Sequence, residues 1–113
     1  MILNTLQVIA AIGTIATGVV SLFWPRSVVG FTGLDPQGGR GVTEIRAVLG
    51  GFFIALGAAP IFLGAQAAYQ MLGIAYLGVG LVRAVSMIVD KSAIQSNIIS
   101  LVVEIIFGVI LIL

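Results

Sequence analysis

The chain has 113 residues, 60% of them hydrophobic and 8% charged, with a net charge of +1 and neither cysteine nor histidine. Its mean hydropathy of +1.27 leaves too few polar groups to cover a water-soluble surface, and no basic run is present to make the phosphate contacts of nucleic-acid binding. Without Cys or His there is no disulfide framework, no thiolate or imidazole metal site and no hydrolytic triad, so no cofactor and no catalytic residue are expected.

Four apolar segments approach the roughly twenty residues needed to cross a hydrocarbon core of about 30 Å. The first covers about residues 3–24 and stops at Pro25, which cannot continue a helix; Trp24 sits where an interfacial aromatic anchor belongs. It has no basic leader and is longer than a signal-peptide core, so it reads as a retained span. The 25–41 connection is the one real loop, with Gly30, Gly33, Asp35-Pro36 and Gly38-Gly39 as turn signals and one interfacial helical turn at 25–29. Gly38-Gly39-Arg40-Gly41 lacks the strand and lysine of a phosphate loop. The remaining spans cover about 42–64, 67–89 and 92–113, and the short connectors at 65–67 and Asp90-Lys91 require hairpins. The expected fold is all-α, a single integral membrane domain built as a four-transmembrane-helix antiparallel bundle.

Helices associate in lipid through small residues, because the tails remove any hydrophobic drive between them. Small or polar residues recur every four positions in helix one (Gly13, Thr17, Ser21), helix two (Ala47, Gly51, Ala55, Ala59) and helix four (Ser96, Ser100, Glu104, Gly108). Helix three carries a heptad-like seam of Gly73, Tyr76, Gly80, Arg83, Met87 and Asp90. Pro60 is expected to bend helix two. Arg26, Arg40 and Lys91 belong to the first and third connections, whereas the termini and the second connector carry no Lys or Arg. The positive-inside rule then puts the first and third connections in the cytoplasm and both termini on the periplasmic or external side.

The charges inside the spans are the candidate site. Arg83 lies about 10 Å in from Asp90, and Glu104 about 15 Å in from the start of helix four. Side chains lean toward their own helix N-terminus, so these two lean toward each other across an antiparallel pair. Ser86 is one turn from both Arg83 and Asp90, and Asn97 begins the inner face of helix four. Glu44, on the side of the Ala47–Gly51 row, is expected to face the bundle; Arg46 is expected to reach the headgroups or meet Asp90. The polar set is thus Glu44, Arg46, Arg83, Ser86, Asp90, Asn97 and Glu104. A charge pair fixing helix register is the commonest use of such residues; an incompletely paired Glu104 could instead bind a proton or ligand. Tyr69 and Tyr76 read as an interface anchor and a seam filler.

On Thr43-Glu44-Ile45-Arg46 with Gly50-Gly51, Arg83 with Ser86 and Asp90, then Asn97 and Glu104, the chain resembles an uncharacterised family of small four-helix bacterial membrane proteins, a domain-of-unknown-function family. The resemblance covers the chain from Pro25 onward and implies that the polar set is a family signature; it brings no activity. In length the chain also resembles the small multidrug resistance exporters, but helix one offers only Asn4, Thr5, Gln7 and hydroxyl residues where those keep an essential acid. The leading expectation is a non-enzymatic polytopic protein. It would sit in the lipid bilayer as an accessory subunit, with other membrane-protein subunits or its own copies as partners and no nucleic acid. The alternatives are a small proton-coupled carrier or channel using Glu104 and Arg83, and, more weakly, a lipid, quinone or pigment site among the helices.

Overall fold

A computed structural model describes residues 1–113. The fold is all-helical, and four helices are long and apolar enough to cross a membrane: α1 (Ile2–Phe23), α2 (Gly38–Leu63), α3 (Gln66–Val89) and α4 (Gln95–Ile112). Packing divides the chain into two units, Met1–Ala10 with Ala65–Leu113, and Ala11–Gly64.

In the first unit α3 and α4 form an antiparallel hairpin. Its far end is a glycine crossing. A Cβ on Gly73 would fall 2.9 Å from the backbone of Gly108 and Ile112, and one on Gly108 would fall 2.6 Å from Leu77. Tyr76 packs edge-to-face on Phe107 with centroids 5.5 Å apart, filling the seam between glycines. Leu72, Met87 and Leu111 are buried, as are Gly80 and Glu104. The hairpin turn occupies 90–94. Asp90 N–H bonds to Ser86 O and Ser92 N–H to Met87 O, and Lys91 takes a left-handed φ of 51°. The turn therefore runs past Asp90-Lys91, and α4 begins at Gln95, three residues later than the pattern suggests. At the other end, buried Gln7 donates Nε2–H to Ile110 O (3.1 Å) and Leu111 O (3.4 Å). Those carbonyls belong to the last turn of α4, where no intrahelical partner exists.

In the second unit Pro25 starts a 3₁₀ turn, Pro25–Val28, continued by the helical turn Val29–Thr32 and closed by Gly33 at φ 75°. The glycine-rich stretch after it is helical, so α2 begins four residues before the expected start. Thr43 Oγ1–H bonds to Gly39 O (3.0 Å), Arg40 pairs with Glu44 one turn on, and Gly41 lies so close to Pro36 that a Cβ would sit 3.1 Å from its backbone. The helix runs through Pro60 and ends at Gly64, whose φ of 61° lets its N–H reach Pro60 O at 2.9 Å.

Within α2, residues Ile45–Phe52 form a π-helix. This corrects the reading of its packing face. Ala47, Gly51, Ala55 and Ala59 are all exposed, and the buried positions are Ile45, Gly50, Gly57 and Pro60. In a π turn residues five apart align, which brings Ile45 and Gly50 to one side. The extra residue rotates the remainder of α2 by roughly 100° relative to a regular helix. Gly50 and Gly57 meet α1 backbone to backbone. A Cβ on Gly57 would lie 2.5 Å from Ala11 O, one on Gly18 2.7 Å from Gly50 O, and one on Gly50 3.1 Å from Leu22 Cα. The buried stripe of α1 in this unit is Ala11, Thr14, Gly18 and Ser21, with Gly13 and Thr17 only half-buried. Thr17 and Ser21 hydroxyls bond back to Gly13 O (3.0 Å) and Thr17 O (2.9 Å), which satisfies them within the helix.

Candidate functional site

Arg83 comes from the seam of α3, with buried Gly80 one turn before it facing α4. A Cβ on Gly80 would stand 3.7 Å from Glu104 Cβ. Because the helices are antiparallel, their backward-leaning side chains converge. Arg83 Nε–H donates to Glu104 Oε1 and Nη2–H to Glu104 Oε2, both at 2.8 Å. This is the fork geometry of a guanidinium on a carboxylate, with two parallel charge-assisted bonds. The third contact is Arg83 Nη1–H to Asn97 Oδ1, 2.8 Å, and Asn97 Nδ2–H continues to Ser92 O, 2.9 Å. Asn97 stands seven residues before Glu104, two turns along the same face of α4. It ties the guanidinium to the backbone of the hairpin turn.

Burial is unequal across the pair. The Glu104 side chain is 11% exposed and that of Arg83 29%. Both Glu104 oxygens are engaged, and no buried side-chain nitrogen or oxygen lacks a partner. An ion pair out of water needs such saturation, since the desolvation of each charge costs several kcal/mol. The open side of Arg83 gives onto a pocket of about 510 Å³ lined by Gly78, Val79, Val82, Arg83, Ser86 and Asn97.

The structure brings Arg83, Asn97 and Glu104 together and sets Ser86 beside them, its hydroxyl donating to the exposed Asp90 carboxylate. Glu44 and Arg46 belong to the other unit. Glu44 is exposed and pairs with Arg40, and Arg46 is exposed without an ion pair. Asp90 accepts from the Ser86 hydroxyl one turn before it. The expectation that Glu44 faces inward fails for the same reason as the Ala47–Gly51 row: the π turn beginning at Ile45 sets a different buried face. Sequence reasoning missed the Arg40–Glu44 pair because it treated residue 40 as loop; four-residue spacing was its one available signal. It also passed over Gln7 as a partner for the end of α4, for which a lone amide in an apolar helix is the only hint.

A family profile described as a domain of unknown function, DUF4345, matches residues 2–113. The chain belongs to the DUF4345 family. The match takes in α1 as well as the region from Pro25 onward, so the matched residues include both the Arg83–Glu104 pair and the α1–α2 glycine crossing. No curated protein and no solved structure matches the chain.

Proposed function

We propose that this DUF4345 protein is a non-enzymatic multi-pass protein of the bacterial inner membrane. It serves as an accessory or structural subunit of a larger membrane complex, and its intramembrane charges act as an internal lock. The observation that carries the reading is the bidentate pairing of Glu104: both oxygens accept from one guanidinium, which is the geometry of a structural ion pair. A second feature supports a protein partner. Ala55 and Ala59 are exposed small residues one turn apart on the regular part of α2, while Gly50 and Gly57 serve the contact with α1. Small residues at that spacing are what helices in a bilayer use to approach one another. Arg26, Arg40 and Lys91 support cytoplasmic placement of the 25–37 and 90–94 connections, with both termini periplasmic.

Purification from native membranes in mild detergent tests the subunit reading. Co-migration with a larger assembly is expected, and Ala55→Leu is expected to release the protein from it. Migration only as a free monomer or homodimer counts against it. A cytoplasm-only reporter fused after Leu113 that gave signal would overturn the topology.

The rival is a small proton-coupled carrier using Glu104 and Arg83, and the pocket beside Arg83 is the observation in its favour. Charge exchange separates them. Arg83→Glu with Glu104→Arg should recover much of the folded yield that each single reversal loses, because the swap keeps the net charge of the pair. Arginine cannot release a proton, so a wild-type proton flux in liposomes that the swap abolishes would favour the carrier.

A further inference from the structure

Arg83 has five N–H donors; three are used, two on Glu104 and one on Asn97, which leaves two. Asn97 has a further Nδ2–H beyond the one given to Ser92 O. Arg83 and Asn97 both line the 510 Å³ pocket, and with Ser86 they make its polar end. The other end is Gly78, Val79 and Val82, between one and five residues earlier on α3, along the direction away from the hairpin turn. The pocket is therefore amphipathic along the helix axis, with its apolar walls deeper in the span.

Charge decides what suits it. The guanidinium at the polar end is already neutralised by Glu104, so the site offers hydrogen-bond donors without net positive charge. An anion moved from the headgroup region to this depth would lose hydration and find no compensating charge. A neutral carbonyl oxygen loses far less on transfer and can accept both spare guanidinium donors. We infer that this pocket binds a neutral amphiphile, a carbonyl-bearing head on an apolar tail, with the head on Arg83 and Asn97 and the tail along Gly78, Val79 and Val82. Two membrane sources share that chemistry, the ring carbonyls of a quinone and the ester carbonyls of an acylglycerol. The inference is independent of any subunit partner, since the pocket lies on α3 and α4 and the exposed Ala55 and Ala59 lie on α2.

The test is thermal unfolding of the full chain in detergent, titrated with decylubiquinone, with dioleoylglycerol and with the anionic lipid dioleoylphosphatidylglycerol. A ligand that binds only the folded state raises the midpoint with concentration. A saturable rise with one or both neutral probes is expected, and the probe that acts identifies the source. The anionic lipid should give less. Gly78→Leu adds apolar bulk at the apolar end five residues from Arg83, at a position where a Cβ meets nothing within 4 Å. It should fold with an unchanged or higher basal midpoint and lose the ligand-induced rise; Val79→Phe should do the same and guards against failure of the first variant. No saturable rise with either neutral probe, a larger rise with the anionic lipid, or an undiminished rise in folded Gly78→Leu and Val79→Phe would each overturn the inference.

Discussion

The α3–α4 hairpin and the α1–α2 pair solve the same problem by different means. Both are antiparallel helix pairs that use glycine to bring backbones together, at Gly73 with Gly108 in one and at Gly18, Gly50 and Gly57 in the other. The hairpin adds a charged lock, Arg83 on Glu104 with Asn97 behind it. The α1–α2 pair has no buried charge; its one ion pair, Arg40–Glu44, is exposed. Directional interactions in a bilayer therefore matter for register more than for contact. Close backbone approach gives dispersion without register, because a row of glycines tolerates sliding by a turn. A bidentate ion pair has one acceptable register, so the hairpin is specified and the α1–α2 contact relies on shape.

Damage to the lock should cost the most. Glu104→Ala leaves a half-buried guanidinium without its carboxylate and should cost up to about 3–5 kcal/mol, the precedent for fully buried pairs, read as loss of folded yield and a lower unfolding midpoint in detergent. Survival of Glu104→Ala at the wild-type midpoint would remove the contrast between the two pairs. Next comes the glycine crossing. Gly57→Val puts a branched side chain into the Ala11 carbonyl and the Ile15 backbone, which cannot move cheaply, and should cost at least about 1–3 kcal/mol. Gly73→Val should behave alike against Gly108 and Ile112, so similar losses at both would show that the backbone approaches are equivalent and only the lock differs.

Two substitutions should have milder consequences. Gln7→Leu strips the amide from two terminal carbonyls of α4 and should lower stability by about 1 kcal/mol, with faster amide exchange expected over the last turn. Glu44→Gln removes only an exposed pair between residues four apart and should change stability by no more than about 0.2–0.5 kcal/mol, leaving the midpoint nearly unmoved. A loss at Glu44→Gln comparable with that at Glu104→Ala would mean that the difference in burial between the two acids does not govern their weight.

The all-helical class, the four apolar spans, and the hairpin with its Arg83–Glu104 pair are legible in the residues alone. Length, hydropathy and regular spacing suffice for them, and α3 is an uninterrupted α-helix. Its seam of Gly73, Gly80, Arg83 and Met87 therefore stays in phase over four turns, and the antiparallel tilt brings Arg83 onto Glu104. Tertiary packing settles the rest. The packing face of α2 depends on the π turn at Ile45–Phe52, and a four-residue spacing rule cannot survive one extra residue in a turn. The same unit extends α2 back to Gly38, where glycines that read as loop are held helical by Thr43, by the Arg40–Glu44 pair and by Pro36. The Gln7 cap on α4 joins residues more than a hundred positions apart, a distance over which local pattern carries no information.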